Sequence, residues 1–469
     1  MEELPQTIAE AGEWLRSGRI TSETLTGILL GRCHAASETI SAFITICDDA
    51  AMAAARQADE ELAQGIDRGP LHGIPIGIKD IIATKDAPTT ANSRVMDLKW
   101  GEGWDATVTA KLREAGAVNL GKLGLMEYAI GWPDPATGFP IPKNPWNLDY
   151  SPGGSSSGTG AAVAGGLILG GLGTDTGGSI RMPSAWCGIS GIKPTFGRVS
   201  KYGCVPLGYS LDNIGPMART AYDCALMLDI LAGYDPKDPC SADKPVPPMA
   251  AALDGSLEGV KIGLLKEFFE YEYLDPETKT AVLAAAEEMA KGGAIVTEIS
   301  IPHALASNAA LWATMVPEAY TYHEPDLQTK PELYGKYTLE ILRQGAFYSA
   351  SDYVQAQRVR ELLRAECYTA MADFDVVLMP TTAFAPPRNA GFEIFEAFKK
   401  VNYTGLWNLT GFPALSVNCG FNAEGLPLGL QIIGKPFDDP TVLKVGDAYQ
   451  KLTDWHLKTP ELVKGASLV

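Results

Sequence analysis

Gly171-Leu-Gly-Thr-Asp-Thr-Gly-Gly-Ser-Ile-Arg-Met-Pro-Ser184 decides how this chain is read, together with the earlier run Gly153-Gly-Ser-Ser-Ser-Gly-Thr-Gly-Ala-Ala-Val-Ala164. In the later run Ser179 follows Thr176, Gly177 and Gly178, small residues that let backbone N–H groups come close to a bound carbonyl. The N–H groups of Thr176, Gly177, Gly178 and Ser179 are therefore candidate oxyanion donors, and Ser179 is the candidate nucleophile. The earlier run places Ser155, Ser156 and Ser157 between glycines and is a candidate relay site. Hydrolysis of an unactivated amide needs such a set of a nucleophile, a proton shuttle and oxyanion donors.

The third element lies further upstream. Gly73-Ile-Pro-Ile-Gly-Ile-Lys-Asp80 alternates isoleucine with small residues, which predicts a short strand ending in two charges. A lysine embedded among isoleucines is a candidate for a lowered pKa and for general-base work. Asp80 is expected to face away from Lys79, since an inward carboxylate would hold the ammonium charged.

Working outward, helical spacing covers Thr21–His34 and Ala50–Gln64, and a helix over Asp105–Glu114 precedes a strand at Ala117–Leu120. Residues 234–258 are rich in Pro, Asp, Lys and Gly and read as a surface connection. Beyond it, Val260–Leu265, Pro276–Lys291 and Ala294–Ile301 predict a β-α-β unit. Asp375–Met379, Ala414–Cys419 and Pro427–Ile433 predict further buried strands. The expected architecture is one α/β domain over 1–469, with a helical arm (1–65), a catalytic core (66–233), the connection (234–258) and a second half (259–469). A helical region at about 305–372 would cover the substrate.

The chain has 469 residues and a formal charge of −18, which disfavours long-range attraction to nucleic acid or anionic lipid. Its start lacks the basic and apolar regions of a secretory signal, and no apolar run is long enough to span a bilayer, so a cytoplasmic location is expected. Eight scattered cysteines without a CxxC pair suggest reduced thiols. Five histidines without an HxxxH or HExxH pair give no metal signature, so no metal or other cofactor is expected.

Taken together, the two Gly/Ser runs resemble the amidase-signature family. The likeness extends through Leu71-His-Gly-Ile-Pro-Ile-Gly-Ile-Lys-Asp80, Gly188-Ile-Ser-Gly-Ile-Lys-Pro-Thr195 and Leu426-Pro-Leu-Gly-Leu-Gln-Ile-Ile-Gly434. It implies a large mixed β-sheet with helices on both faces, and a triad of a lysine, a serine held by a cis peptide and a nucleophilic serine. The matching positions are Lys79, Ser155 and Ser179, with the cis bond after Gly154. Asp175 and Arg181 are read as groups that fix the nucleophile's turn. Met126, Tyr128, Gly131 and Trp132 become pocket candidates by the same resemblance. Competing patterns fit worse: Gly154–Gly158 has the form of a Gly-x-Ser-x-Gly elbow centred on Ser156, but no apolar strand leads into it.

Two functions follow from the resemblance. Apolar and aromatic residues at Trp312, Met315, Tyr320, Tyr322 and Phe347 favour a pocket for hydrophobic or aryl amides, anilides or carbamates. With a charge that disfavours tRNA and no arginine in the register of a carboxylate anchor, a free-standing hydrolase with a small molecule as its partner is expected. The alternative is the glutamine-hydrolysing amidase subunit of a tRNA-dependent amidotransferase. That subunit uses an arginine for the glutamine carboxylate, and the matching register here falls on Glu340 or Ile341, with Arg343 nearby.

Overall fold

The computed structural model describes residues 4–464. Its centre is one eleven-stranded mixed sheet with the order β1-β3-β2-β4-β6-β5-β10-β11-β9-β7-β8. The strands are β1 (Phe43–Ile46), β2 (Pro75–Lys79), β3 (Val118–Leu123), β4 (Gly170–Asp175), β5 (Ser190–Lys193) and β6 (Asn213–Ala218), then β7 (Lys261–Leu265), β8 (Ile295–Ile299), β9 (Val376–Pro380), β10 (Ala414–Phe421) and β11 (Pro427–Gly434). β2 runs parallel to β3 and β4, and β7 runs parallel to β8 and β9; the remaining pairs are antiparallel.

The expected β-α-β unit is present, as β7, the helix Pro276–Lys291 and β8. Asp275 caps that helix by accepting from the N–H groups of Glu277 and Thr278, and Pro276 occupies its first turn, where no amide donor is needed. Thr21 caps Ser22–Ala35 in the same manner. The chain between β6 and β7 holds the helix Ala221–Leu231 and then, over residues 234–258, little regular structure, yet the sheet crosses that connection without a break. β5 pairs with β10, so strands from both halves share one ladder.

All five residues of β2 and all six of β4 are buried, as expected for central strands covered on both faces. β4 is hard to read as a strand from sequence because three of its six residues are glycine. One of those glycines has a direct structural role: a Cβ on Gly173 would lie 2.9 Å from Ser156 Oγ and 2.7 Å from Met217 Sδ. Its absence lets the Ser155–Ser157 turn press onto the strand. The region expected to be helical at about 305–372 contains the helices Ser307–Thr329, Lys336–Gln344 and Ala350–Ala370, with the first packed against both of the others.

Candidate active site

Ligand crevices in α/β folds form beyond the carboxyl ends of parallel strands, and the two Gly/Ser turns meet Lys79 at such a place. Lys79 ends β2, Asp175 ends the neighbouring β4, and the helix Ser157–Ala164 starts on the last serine of the cluster. The Gly154–Ser155 peptide is cis. The Ser156 N–H donates to the Ser179 carbonyl at 3.2 Å, which holds the two turns against each other. Ser155 is buried and Ser179 is half-buried, and both line one cavity of about 180 Å³.

Lys79 is fully buried, and its Nζ lies 2.7 Å from Ser155 Oγ, 3.0 Å from Ser156 Oγ and 2.7 Å from Thr174 Oγ1. Burial pushes its pKa down to about 7, against the opposing fields of Asp175 and Asp212. The hydroxyl inventory fixes how a neutral amine would sit. Ser156 Oγ gives its only proton to the Thr174 carbonyl and already accepts from the Thr174 N–H, so towards Lys79 it can only accept. With a second N–H directed at Thr174 Oγ1, the neutral amine has its lone pair left for the Ser155 hydroxyl proton. Sequence reasoning misses Ser156 and Thr174 as members of this group. Ser156 reads there as the centre of a poor elbow, and Thr174 carries no signal apart from its place in the Gly-rich run.

Asp80 turns away from this group, as adjacent strand residues point to opposite faces. Its carboxylate lies 2.9 Å from the equally buried Lys122 Nζ and accepts from the hydroxyl and N–H of half-buried Thr90.

Asp175 and Arg181 hold the turn that carries Ser179. Arg181 Nη2 and Nε reach the two Asp175 oxygens at 2.9 and 3.0 Å, with both side chains fully buried. Burial works to raise the Asp175 pKa, but Arg181 and Asn408 outweigh it and hold the carboxylate well below its usual range. Arg181 also donates to the Thr404 carbonyl, Asn408 Oδ1 and Gln431 Oε1. These partners lie more than two hundred residues downstream and are invisible to a reading of the local motif.

The structure revises the set of oxyanion donors. The Gly178 N–H donates to Asp175 Oδ1 at 2.8 Å, so it is committed to the turn and is not a candidate donor. The Gly177 and Ser179 N–H groups reach no acceptor among the described residues, and Thr176, Gly177 and Ser179 line the cavity. Gly178 serves the turn sterically instead. Its φ is +125°, and a Cβ there would lie 2.1 Å from Thr404 Oγ1, which donates to the Gly177 carbonyl.

Met126, Gly131, Trp132 and Gly154 line the cavity, as do Trp312 and Met315. Tyr128 does not. Its hydroxyl contacts Met96 Sδ and its ring packs 4.3 Å from the His323 ring, because a backbone φ of +48° turns the side chain into the interior. Tyr322 and Phe347 are exposed, and neither they nor Tyr320 reach the cavity. Glu340 and Arg343 face solvent and Ile341 is in the core, so none of the three positions considered for a carboxylate anchor reaches the site. Among the described residues no cluster of His, Cys, Asp and Glu suited to a metal is found, and no helix is long and apolar enough to cross a membrane.

With this geometry in place, comparison with known proteins gives three findings. The family described as Amidase matches residues 24–443. The protein named as the A subunit of glutamyl-tRNA(Gln) amidotransferase from Roseiflexus sp. (strain RS-1) is 42% identical, covering 97% of this chain and 98% of its own length. Two solved structures share the architecture. The A subunit of the Thermotoga maritima glutamyl-tRNA(Gln) amidotransferase aligns with a TM-score of 0.81 at 29% identity, over 96% of each chain. A vestigial protein complex linked to the origins of an s-triazine catabolic enzyme aligns with a TM-score of 0.89 at 29% identity, covering 95% of this chain and 98% of the other.

These relatives overturn two expectations. A free-standing hydrolase of hydrophobic or aryl amides, anilides or carbamates is not supported, because proteins similar over nearly the whole chain are named as subunits of an amidotransferase. The expectation of a small molecule as the only partner, with no nucleic acid, falls for the same reason. Net charge describes the average field of a surface, and one subunit can serve a tRNA-dependent enzyme without itself touching the polyanion. The aromatic signal misleads because three of the five residues it rests on lie outside the cavity.

Proposed function

This chain belongs to the amidase family and is an amidase acting on C–N bonds other than peptide bonds, and from that premise we propose that it is the glutamine-hydrolysing subunit of a tRNA-dependent amidotransferase. In this reading Ser179 Oγ attacks the carboxamide carbon of glutamine. Its proton passes to Ser155 as the proton of Ser155 passes to neutral Lys79. The N–H groups of Gly177 and Ser179, with that of Thr176, receive the developing oxyanion. The relay then runs in reverse and protonates the departing nitrogen, which leaves as ammonia. Water, deprotonated through the same relay, hydrolyses the acyl-enzyme and restores Ser179.

The observation that carries the relay is the environment of Lys79 Nζ: buried, surrounded by three hydroxyls, and left by their donor pattern with a lone pair for Ser155. The near-full-length similarity to amidotransferase subunits supports the choice of glutamine and of partner subunits. A cytoplasmic location fits eight cysteines that are all unpaired.

The test is ammonia release from glutamine by the chain alone and then with partner subunits and glutamyl-tRNA(Gln). Stimulation by the partners, with loss of activity in Ser179→Ala, is the expected result. Glutamine left intact under every condition by a protein whose Ser179 still reacts with a fluorophosphonate would reject the reading.

A further inference from the structure

The cavity's charge is singular. Of the described side chains lining it, Lys400 is the only charged one, in a chain of net charge −18. Among the described residues no Asp, Glu, Arg or His joins it there. Substrate recognition by charge within this cavity therefore has one available sign.

Lys400 is also held in place. Its own N–H donates to the Ala397 carbonyl at 3.1 Å, and the next N–H, that of Val401, donates to the Tyr271 hydroxyl at 3.1 Å. Its ammonium sits 4.7 Å from the centre of the Tyr273 ring, a cation–π contact that orients the side chain while leaving its N–H donors available. No carboxylate pairs with it among the described residues, whereas the adjacent Lys399 pairs with Glu396 at 2.6 Å. Two amides stand beside it on the cavity wall. Asn402 binds the Gly177 carbonyl of the Ser179 turn through Nδ2, and Asn308 accepts the Asn402 N–H. The lysine thus belongs to a segment hydrogen-bonded directly to that turn.

We propose that Lys400 is the anchor for a carboxylate carried by the substrate, so that the site takes primary amides bearing a distal carboxylate. This rests on the glutamine reading and deepens it: neither the matching positions Glu340 and Ile341 nor Arg343 reaches the site, and a lysine from a different segment supplies the charge. The absence of any acidic side chain among the described lining residues adds a second element. The cavity reads the acid end of glutamine and not its ammonium, so 4-carbamoylbutanoate, which lacks the amino group, is accepted as well.

The test compares 4-carbamoylbutanoate with pentanamide, a neutral amide of the same chain length, in the native protein and in Lys400→Met, Lys400→Arg and the control Lys399→Met. Two readouts are taken on the protein with its partners: kcat and KM for each amide, and protection of Ser179 from fluorophosphonate labelling by each amide. A hydrogen bond to a charged group is worth about 1.5–3 kcal/mol, so Lys400→Met is expected to reduce the preference for the acid amide by roughly 10- to 150-fold, through KM. Lys400→Arg restores most of it, and Lys399→Met leaves it unchanged. Rising salt weakens the preference in the native protein, since the cation is exposed.

An equal preference in native and Lys400→Met proteins overturns the anchor. The protection readout needs no turnover. If glutamine is not hydrolysed but acid-selective protection depends on Lys400, the glutamine reading fails and the anchor stands.

Discussion

Replacing Lys79 by methionine gives the most direct access to the buried amine. Burial moves the pKa of Lys79 from 10.5 to about 7, a difference of roughly 3.5 units or ~5 kcal/mol between its two protonation states. The unfolded chain keeps that proton up to a pH of about 10.5, whereas the folded chain releases it above about 7. Between these values the unfolded state binds more protons, so this group makes folding more favourable as pH rises, by ~1.4 kcal/mol per unit. Below 7 both states are protonated and the slope vanishes. Lys79→Met removes the contribution. The three hydroxyls that lose a partner shift the variant's stability by an amount that does not depend on pH, so the slope isolates the ionisation. Urea unfolding of both proteins from pH 6 to 9.5 is the assay, and the difference in unfolding free energy should change by about 3 kcal/mol across that range. Activity should follow the same group. The native kcat/KM should rise along a limb centred near 7, from about one-tenth of its plateau at pH 6 to about nine-tenths at pH 8, and Lys79→Arg should be inactive because guanidinium keeps its proton. Parallel stability curves for native and Lys79→Met, or an unchanged limb in Lys79→Arg, would refute the reasoning.

Three further outcomes are expected. Ser156→Ala removes an acceptor of Lys79 and a partner of both Thr174 backbone groups; kcat should fall at least tenfold with Ser179 still reactive towards fluorophosphonate, and an unchanged kcat and pH limb would show that Ser156 does not orient the amine. Asp175→Asn leaves the buried Arg181 without its counter-charge and should cost about 3–5 kcal/mol in chemical denaturation; a loss under about 1 kcal/mol would mean that the pair does not hold the turn. Gly178→Ala forces a Cβ into Thr404 at a positive φ, and labelling of Ser179 should slow more than tenfold, whereas Gly177→Ala, whose Cβ meets nothing closer than 3.3 Å, should be milder. Equal labelling rates for the two alanine variants would remove the steric explanation.

Much of the catalytic end of the molecule is legible in its sequence, because the chemistry is concentrated in two short Gly/Ser runs and one strand terminus. β2 announces itself through the spacing of Ile76 and Ile78, and the helix Pro276–Lys291 through Asp275 and Pro276 at its start. β4, β5 and β6 are harder, since Gly170, Gly171, Gly173, Gly191, Gly215 and Pro216 dilute the β-branched pattern by which strands are recognised. The Arg181 network escapes a sequence reading because Thr404, Asn408 and Gln431 meet it only through the fold. The misreading of function has a different origin. Trp312 and Met315 do face the cavity, but subunit interfaces in general are nearly as polar as other surfaces, so composition cannot distinguish a free-standing hydrolase from a subunit.

The junction between β5 and β10 bears on how the protein is made. About 220 residues separate the end of β5 from the start of β10, the strand that covers its open edge. At roughly 5–20 residues per second, a ribosome needs some 10–45 s to deliver that partner. During this interval the nascent first half, with Ser179 already synthesised, exposes unpaired backbone groups to other nascent chains. Slower synthesis or added chaperone should therefore raise the soluble yield, and rapid overexpression should yield aggregates seeded at Ser190–Lys193.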